Sequence, residues 1–357
     1  MKLNTAKKLT AGALALSMMF AMATPAFAVS EEVPAPHITK KYTATNDGTS
    51  SPAETFTFTA VATDVKNAGV KEDGTTPITK DDAPKLTIAP AAYGAKGATT
   101  DGAPMDLEIT KDKPFPNVGI YYYTVTEAVS GNAGVTTHAG NMLLKVAVVY
   151  DGMVLKEKYF FYNGMDSNGE GTGKKGAAIE NTYSAGSLEV KKEVTGNLGD
   201  KSKLFNVTVT FTAPAGKTVA GTISYSEGGV QKTIAPSDWE DDSVTKKIAV
   251  SHGDTVTFTN IPYDVTYTVV EDDYTKAADG TTKDYDPAQY AAVDSDTEKG
   301  TVGTIDTVKE TMTITNNKGD NNIDTGVILD NAPYILMLAV VAGGAMMLVI
   351  KKRREEE

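Results

Sequence analysis

Six residues of this chain could do chemistry on one another: Lys40, Glu127 and Asn181 in the N-terminal half, and Lys192, Glu271 and Asn316 in the C-terminal half. A lysine amine is a nucleophile only when neutral. Desolvation drives it there while pushing a neighbouring carboxyl towards its protonated form. Beside an asparagine amide, such an amine can attack the side-chain carbonyl. The carboxyl would hydrogen-bond that carbonyl and shuttle protons to departing ammonia. The product is a Lys–Asn isopeptide bond, made once by the protein on itself, with no cofactor and no metal. The expected pairs are Lys40–Asn181 and Lys192–Asn316, with Glu127 and Glu271 as proton shuttles. Each link would restrict the unfolded chain much as a disulfide does, in a sequence of 357 residues without cysteine.

These six stand out because of strand phase, since side chains two apart share a face. Ile38, Lys40 and Tyr42 fall together, and so do Leu188, Val190, Lys192 and Val194. Tyr121, Tyr123, Val125 and Glu127 share a face, as do Val265, Tyr267, Val269 and Glu271. Asn181 is in phase with Ile179, and Asn316 with Met312 and Ile314. Lys41 and Asn317 miss by one residue and are out of phase. Any one of the six alone fits a strand end whose polar tip reaches water. All three types recurring twice, in the same order and phase on apolar faces, argues that they meet, because a buried charge is costly unless paired.

The recurrence extends along the chain. HITKKYTAT (37–45) aligns with LEVKKEVTG (188–196), FTFTA (56–60) with VTFTA (209–213), GIYYYTVTEA (119–128) with DVTYTVVEDD (264–273), and IENTY (179–183) with ITNNK (314–318). Thr/Val/Tyr-rich runs broken by Gly, Asn, Asp and Pro, with no amphipathic helix of useful length, predict an all-β protein of two tandem sandwiches. The expected domains are 29–185 and 186–319, with a polar spacer at Asp320–Asp324.

Both ends carry targeting signals. Lys2, Lys7 and Lys8, an apolar run from Leu9 to Ala23 and Ala26-Phe27-Ala28 read as a secretory signal peptide over 1–28. At the other end, residues 320–357 contain an uncharged stretch at 332–350, close to the roughly 20 residues that span a bilayer. The basic residues 351–354 behind it would stay cytoplasmic. The leader carries three lysines, and the tail after Thr325 balances four acids against four bases, so the formal −12 of the chain becomes −15 on the exported part. That balance excludes nucleic acid as a partner and favours solubility outside the cell.

The chain resembles the major (backbone) pilins of Gram-positive, streptococcal-type, sortase-assembled pili, which carry the pilin isopeptide-linkage domain. The resemblance rests on YYYTVTE, LEVKKEVTGNLGDKSKLFNVTV, VVEDDY, TMTITNNK, and TGV followed by APYI and a GGA-containing apolar segment. It implies immunoglobulin-like, CnaB-type sandwiches and puts the six residues on the family's cross-link positions. It makes the tail a sorting signal, ending in a sorting-signal helix, with its motif at 322–326. Sortase would cut between Thr325 and Gly326 and pass the Thr325 carboxyl to an amine of another subunit. Asp324 stands where sorting motifs usually carry proline. The resemblance also points to a lysine shortly before the closing strand of the first domain as acceptor. Ungapped alignment from Asn181 gives Lys174, with Lys175 as the alternative, in a Gly-rich stretch read as a loop. The WxxxVxVYPK-type motif of other pilins is absent, and the one tryptophan, Trp239, lies in PSDWEDD. The implied partners are sortase, further copies joined head to tail, minor pilins or peptidoglycan, and a host surface. The implied location is the cell wall and pilus, after a transiently membrane-anchored precursor.

An enzyme acting on outside substrates is the poorest fit. His37, His138 and His252 are scattered, HExxH is absent, and DGT, DYDP and DSDT lack the spacing of a calcium loop. The rival is a wall-anchored adhesin or minor pilin that binds a host ligand without polymerising.

Overall fold

The computed structural model describes residues 36–46, 49–292 and 301–319. The signal peptide, the motif at 322–326 with Thr325 and Gly326, the apolar stretch 332–350 and the basic tail lie outside the described residues. Within them the protein is all-β. Among the described residues the only helical pieces are two single 3-10 turns, Lys80–Asp82 and Pro236–Asp238, and no helix is long and apolar enough to cross a membrane.

The chain divides into two compact units that are not contiguous in sequence. The first comprises the described residues up to Ala44 with Ala53–Ser130 and Val135–Tyr183. The second takes the described residues from Ser184 onward, together with those of Thr45–Pro52 and with Gly131–Gly134. The small pieces join it through hydrogen bonds that no periodicity encodes. Ser50 N–H donates to Asn260 Oδ1 at 2.8 Å, and Ala133 N–H donates to the Thr218 carbonyl at 2.8 Å.

In the first unit, one five-stranded sheet runs in the order Leu86–Ile88, Met105–Lys111, His37–Ala44, Ile179–Tyr183, Val135–Thr136. The other runs Gly171–Lys175, Val154–Met165, Met142–Asp151, Gly119–Glu127, Phe58–Lys66. A small ribbon, Glu54–Phe56 with Ala91–Tyr93, completes the unit. The second unit has a six-stranded sheet in the order Val230–Ile234, Ile223–Glu227, Thr255–Pro262, Ala185–Thr195, Lys309–Asn317, Gln289–Ala292. Its four-stranded sheet is Ser243–Val250, Phe205–Thr212, Thr266–Glu271, Val302–Thr304.

Alternation decides the inward faces. Ile38, Lys40 and Tyr42 are buried on the first strand, and Leu188, Val190, Lys192 and Val194 on its counterpart. In the second unit the core joins Leu188, Val190, Phe258 and Ile314 from one sheet to Val207, Val209, Phe211, Tyr267 and Val269 from the other. Phe211 and Phe258 meet edge to face at 5.2 Å, a contact that adds about 1 kcal/mol to the burial of the rings.

In each unit the first strand pairs in parallel with the last, as the two halves of the repeat require if their polar residues are to meet. Lys40 lies opposite Ile179 and Tyr42 opposite Asn181. Lys192 lies opposite Ile314 and Val194 opposite Asn316. Gly186 permits the approach in the second unit, because a Cβ there would sit 2.2 Å from the Thr307 carbonyl oxygen.

Two expectations are corrected. Phe58 pairs with Glu127 and Val207 with Glu271, so Phe56 corresponds to Phe205 and the alignment of FTFTA with VTFTA was displaced by four residues. A run of alternating Thr and apolar residues looks the same after any even shift, so it carries no register. Lys174 and Lys175 lie in a strand, Gly171–Lys175, and not in a loop. This strand pairs along Val154–Met165 across a register shift between Tyr162 and Gly164, with Gly173 in the left-handed region at φ 77°.

Candidate functional site

A lysine, a glutamate and an asparagine meet between the sheets of each unit. The lysine and asparagine come from adjacent parallel strands, with the asparagine two positions beyond the residue opposite the lysine. That diagonal is about 7 Å between neighbouring strands, within reach of a lysine side chain. The glutamate descends from the facing sheet, at the last residue of its strand.

In the first unit, Lys40 Nζ is 3.0 Å from Glu127 Oε1, and Asn181 Nδ2 donates to the same oxygen at 2.8 Å. One carboxyl oxygen thus touches both the amine that would attack and the nitrogen that would leave. In the second unit the two contacts are divided. Lys192 Nζ is 3.1 Å from Glu271 Oε1, while Asn316 Nδ2 donates to Oε2 at 2.7 Å. Lys192 Nζ also donates to Asn316 Oδ1. All four charged side chains are fully buried.

Each carboxyl meets the amide nitrogen, not the carbonyl oxygen as the sequence reading had it. In the first unit the carbonyl is held by the main chain instead. The His138 N–H donates to Asn181 Oδ1 at 2.8 Å and to Glu127 Oε2 at 3.1 Å. A main-chain donor has no residue-type signature, which is why the sequence did not reveal it. An aromatic wall was also missed. The Phe56 ring centroid is 4.7 Å from Lys40 Nζ, and the Phe205 centroid is 4.3 Å from Lys192 Nζ.

Burial sets the electrostatics. Loss of solvent pulls the Lys40 amine down to about 8, against the opposing attraction of Glu127. Loss of solvent likewise lowers Lys192 and raises Glu271, while Asn316 and Lys192 pull that carboxyl back. The second pair is therefore pushed towards amine and acid, the forms that aminolysis needs. As a non-covalent device the cluster has little to offer, since a buried ion pair roughly breaks even against apolar side chains of the same volume.

The residues one position away do not join the clusters. Asn317 donates to Asp286 Oδ2 at 2.7 Å, and Lys41 is half-buried on the opposite face of its strand. Lys174 and Lys175 are both exposed on their edge strand, with Lys175 Nζ lying 4.1 Å from the Phe160 ring centroid. Among the described residues no group of His, Asp or Glu is arranged to hold a metal ion.

Residues 186–318 match a family described as a domain of unknown function, DUF7601. Over 311 residues the chain is 32% identical to a protein named Pilin from Streptococcus pyogenes serotype M1, covering 84% of this chain and 85% of that one. Its fold is similar to the crystal structure of the major pilin from Streptococcus pyogenes, with a TM-score of 0.50 and 22% identity over 79% of this chain and 98% of that one. It is also similar to the major pilin protein (T3.2) of Streptococcus pyogenes serotype GAS13637, with a TM-score of 0.49 and 19% identity over 80% and 99% of the two chains.

Proposed function

The chain belongs to the pilin family, and from that premise we propose that it is the backbone subunit of a sortase-polymerised pilus, reinforced in each unit by a self-made Lys–Asn isopeptide bond. It is a pilus subunit of the cell surface, and its role is structural. In this reading residues 29–185 and 186–319 are its tandem domains. Export follows the signal peptide, and the precursor is held in the membrane until sortase cuts between Thr325 and Gly326. The Thr325 carboxyl then passes to Lys174, or to Lys175, of the next copy. Repetition gives an open head-to-tail contact that propagates rather than closes. Minor pilins or peptidoglycan receive the ends.

The bond chemistry follows from the contacts. A neutral Lys40 amine adds to Cγ of Asn181, and the proton it sheds passes through Glu127 to Nδ2. The Cγ–Nδ2 bond then breaks, ammonia leaves, and Glu127 returns to its starting form. Lys192, Asn316 and Glu271 do the same in the second unit. Burial supplies the neutral amine, the apolar walls exclude the water that would compete, and strand pairing holds the reactants together.

One observation carries this reading: the same three side chains, buried and at the same strand offset, occur in both units. Intact mass tests it. The purified mature protein should be lighter than its sequence by about 17 Da for each amine–amide condensation, two in all. Glu127→Ala and Glu271→Ala should each restore one of them. A mass equal to the calculated value would rule the bonds out.

A further inference from the structure

We infer that the main-chain N–H of His138 is a catalytic group of the first site, the donor that stabilises the oxyanion formed on Asn181. The inference rests on the condensation proposed above and adds a residue that neither the sequence pattern nor the lysine–glutamate–asparagine cluster contains.

The short strand Val135–Thr136 runs antiparallel to the closing strand, with Val135 opposite Tyr183 and Thr136 opposite Thr182. The ladder stops there. Two residues on, the His138 N–H is free of main-chain pairing and turns to side chains, 2.8 Å from Asn181 Oδ1 and 3.1 Å from Glu127 Oε2. Both contacts serve the reaction. When Lys40 Nζ bonds to Cγ of Asn181, the carbonyl double bond opens and its electron pair moves onto Oδ1. A fixed N–H already at hydrogen-bond distance meets that charge as it forms, with no rearrangement. Bonds to an ionised acceptor are also about twice as strong as neutral ones. The second contact holds Glu127 Oε2, which fixes the rotation of the carboxyl and keeps Oε1 between the two nitrogens that exchange a proton. The imidazole has no part in this.

The second site is built differently. Its neighbouring strand Gln289–Ala292 stays in the ladder, with Gln289 opposite Thr315. Among the described residues the partner of Asn316 Oδ1 is the Lys192 amine itself. Removal of the N–H at 138 should therefore slow the first condensation alone, which makes the second an internal control.

His138→Pro deletes the N–H, and His138→Ala keeps it. Each mature chain would be made by cell-free synthesis, sampled over time, and digested to assign each 17 Da loss to Lys40–Asn181 or Lys192–Asn316. The alanine variant should match the wild type. The proline variant should form the first bond about 10²-fold more slowly, the usual effect of deleting one oxyanion donor, with the second bond unchanged. Wild-type kinetics at the first site in His138→Pro would overturn the assignment. Where proline disrupts the first unit, hydrogen exchange in a Lys40→Ala chain, which cannot condense there, decides. The amide at 138 should be protected, and exchange at the rate of an open loop would overturn the inference. Absence of both mass losses in the wild type would instead refute the condensation itself.

Discussion

Asn316→Ala is the most informative single substitution for stability, because it removes the electrophile of the second site and leaves the Lys192–Glu271 pair in place. The covalent bond would close a loop between positions 124 apart in sequence. The chain-entropy relation gives about 5 kcal/mol at 25 °C for a loop of that length. The other losses are smaller. The hydrogen bond to Glu271 that Asn316 Nδ2 makes at 2.7 Å before condensation, and that the isopeptide N–H would make after it, contributes about 2 kcal/mol when its acceptor is charged, and the Lys192–Glu271 ion pair that the variant retains nets close to zero. A unit of this size loses about 3 °C of melting temperature per kcal/mol, so its calorimetric transition should fall by about 15 to 20 °C. Intact mass on the same sample must show one 17 Da loss in place of two. A shift under about 5 °C with the bond demonstrably missing would refute the entropic reasoning. It would mean that the parallel pairing of first and last strands already confines the unfolded chain or contributes far more than its hydrogen bonds suggest. Glu271→Ala also blocks the bond and leaves the Lys192 amine buried without its acid, so its transition should fall further still.

Three other outcomes follow from the same contacts. Only the neutral amine attacks, and burial puts Lys40 at about 8, below its ordinary 10.5. First-site condensation should therefore quicken about tenfold per pH unit up to that point and then level off, and a flat rate between pH 6 and 8 would sink the assignment of the nucleophile. Thr325→Ala should release the protein into the medium in place of wall attachment, and unchanged attachment would remove Thr325 from the sorting step. Lys174→Arg should abolish the high-mass ladder on blots of wall extract. Loss only in Lys175→Arg moves the acceptor by one residue, and a full ladder in the double variant puts it elsewhere.

Phase was legible in the sequence, and register was not. A lysine between Ile38 and Tyr42, or between Val190 and Val194, announces its face because its neighbours two away are apolar, and the folded strands bury all of them together. The FTFTA and VTFTA segments alternate just as cleanly, yet an even displacement leaves their pattern intact, and only the pairing of Phe58 with Glu127 and Val207 with Glu271 sets them. The four-residue error hid the equivalence of Phe56 and Phe205, and with it the ring that walls off each amine. Gly171–Lys175 read as a loop because glycine and lysine have low strand preference. Its place at the edge of a sheet comes from the long strand Val154–Met165 beside it. The His138 N–H lay furthest from view, since every residue but proline carries one.

The parallel pairing of first and last strands explains why a bond at this place matters to a fibre. Tension that enters the second unit at the start of its first strand and leaves at the end of its last loads the ladder between them in shear. In the second unit that ladder holds nine residue pairs, from Ser187 with Lys309 to Thr195 with Asn317. In the first it holds only five, from Lys40 with Ile179 to Ala44 with Tyr183. At about 1 kcal/mol net for each hydrogen bond, five pairs hold the first strand only weakly. In the proposed fibre load reaches the first unit through Lys174 and runs along the closing strand, so a Lys40–Asn181 bond would tie the first strand to a loaded strand and keep the five pairs from peeling apart. In the second unit a Lys192–Asn316 bond lies near the far end, three positions before the ladder closes at Thr195. There the load crosses eight residues of first strand, Ser184 to Asn316 being joined through Ala185–Lys192, and leaves the intervening chain slack. Released, that slack would lengthen the subunit by roughly 400 Å at about 3.4 Å per residue. The first bond would thus hold a strand that five pairs alone hold weakly, while the second would keep a long stretch of chain out of the line of force.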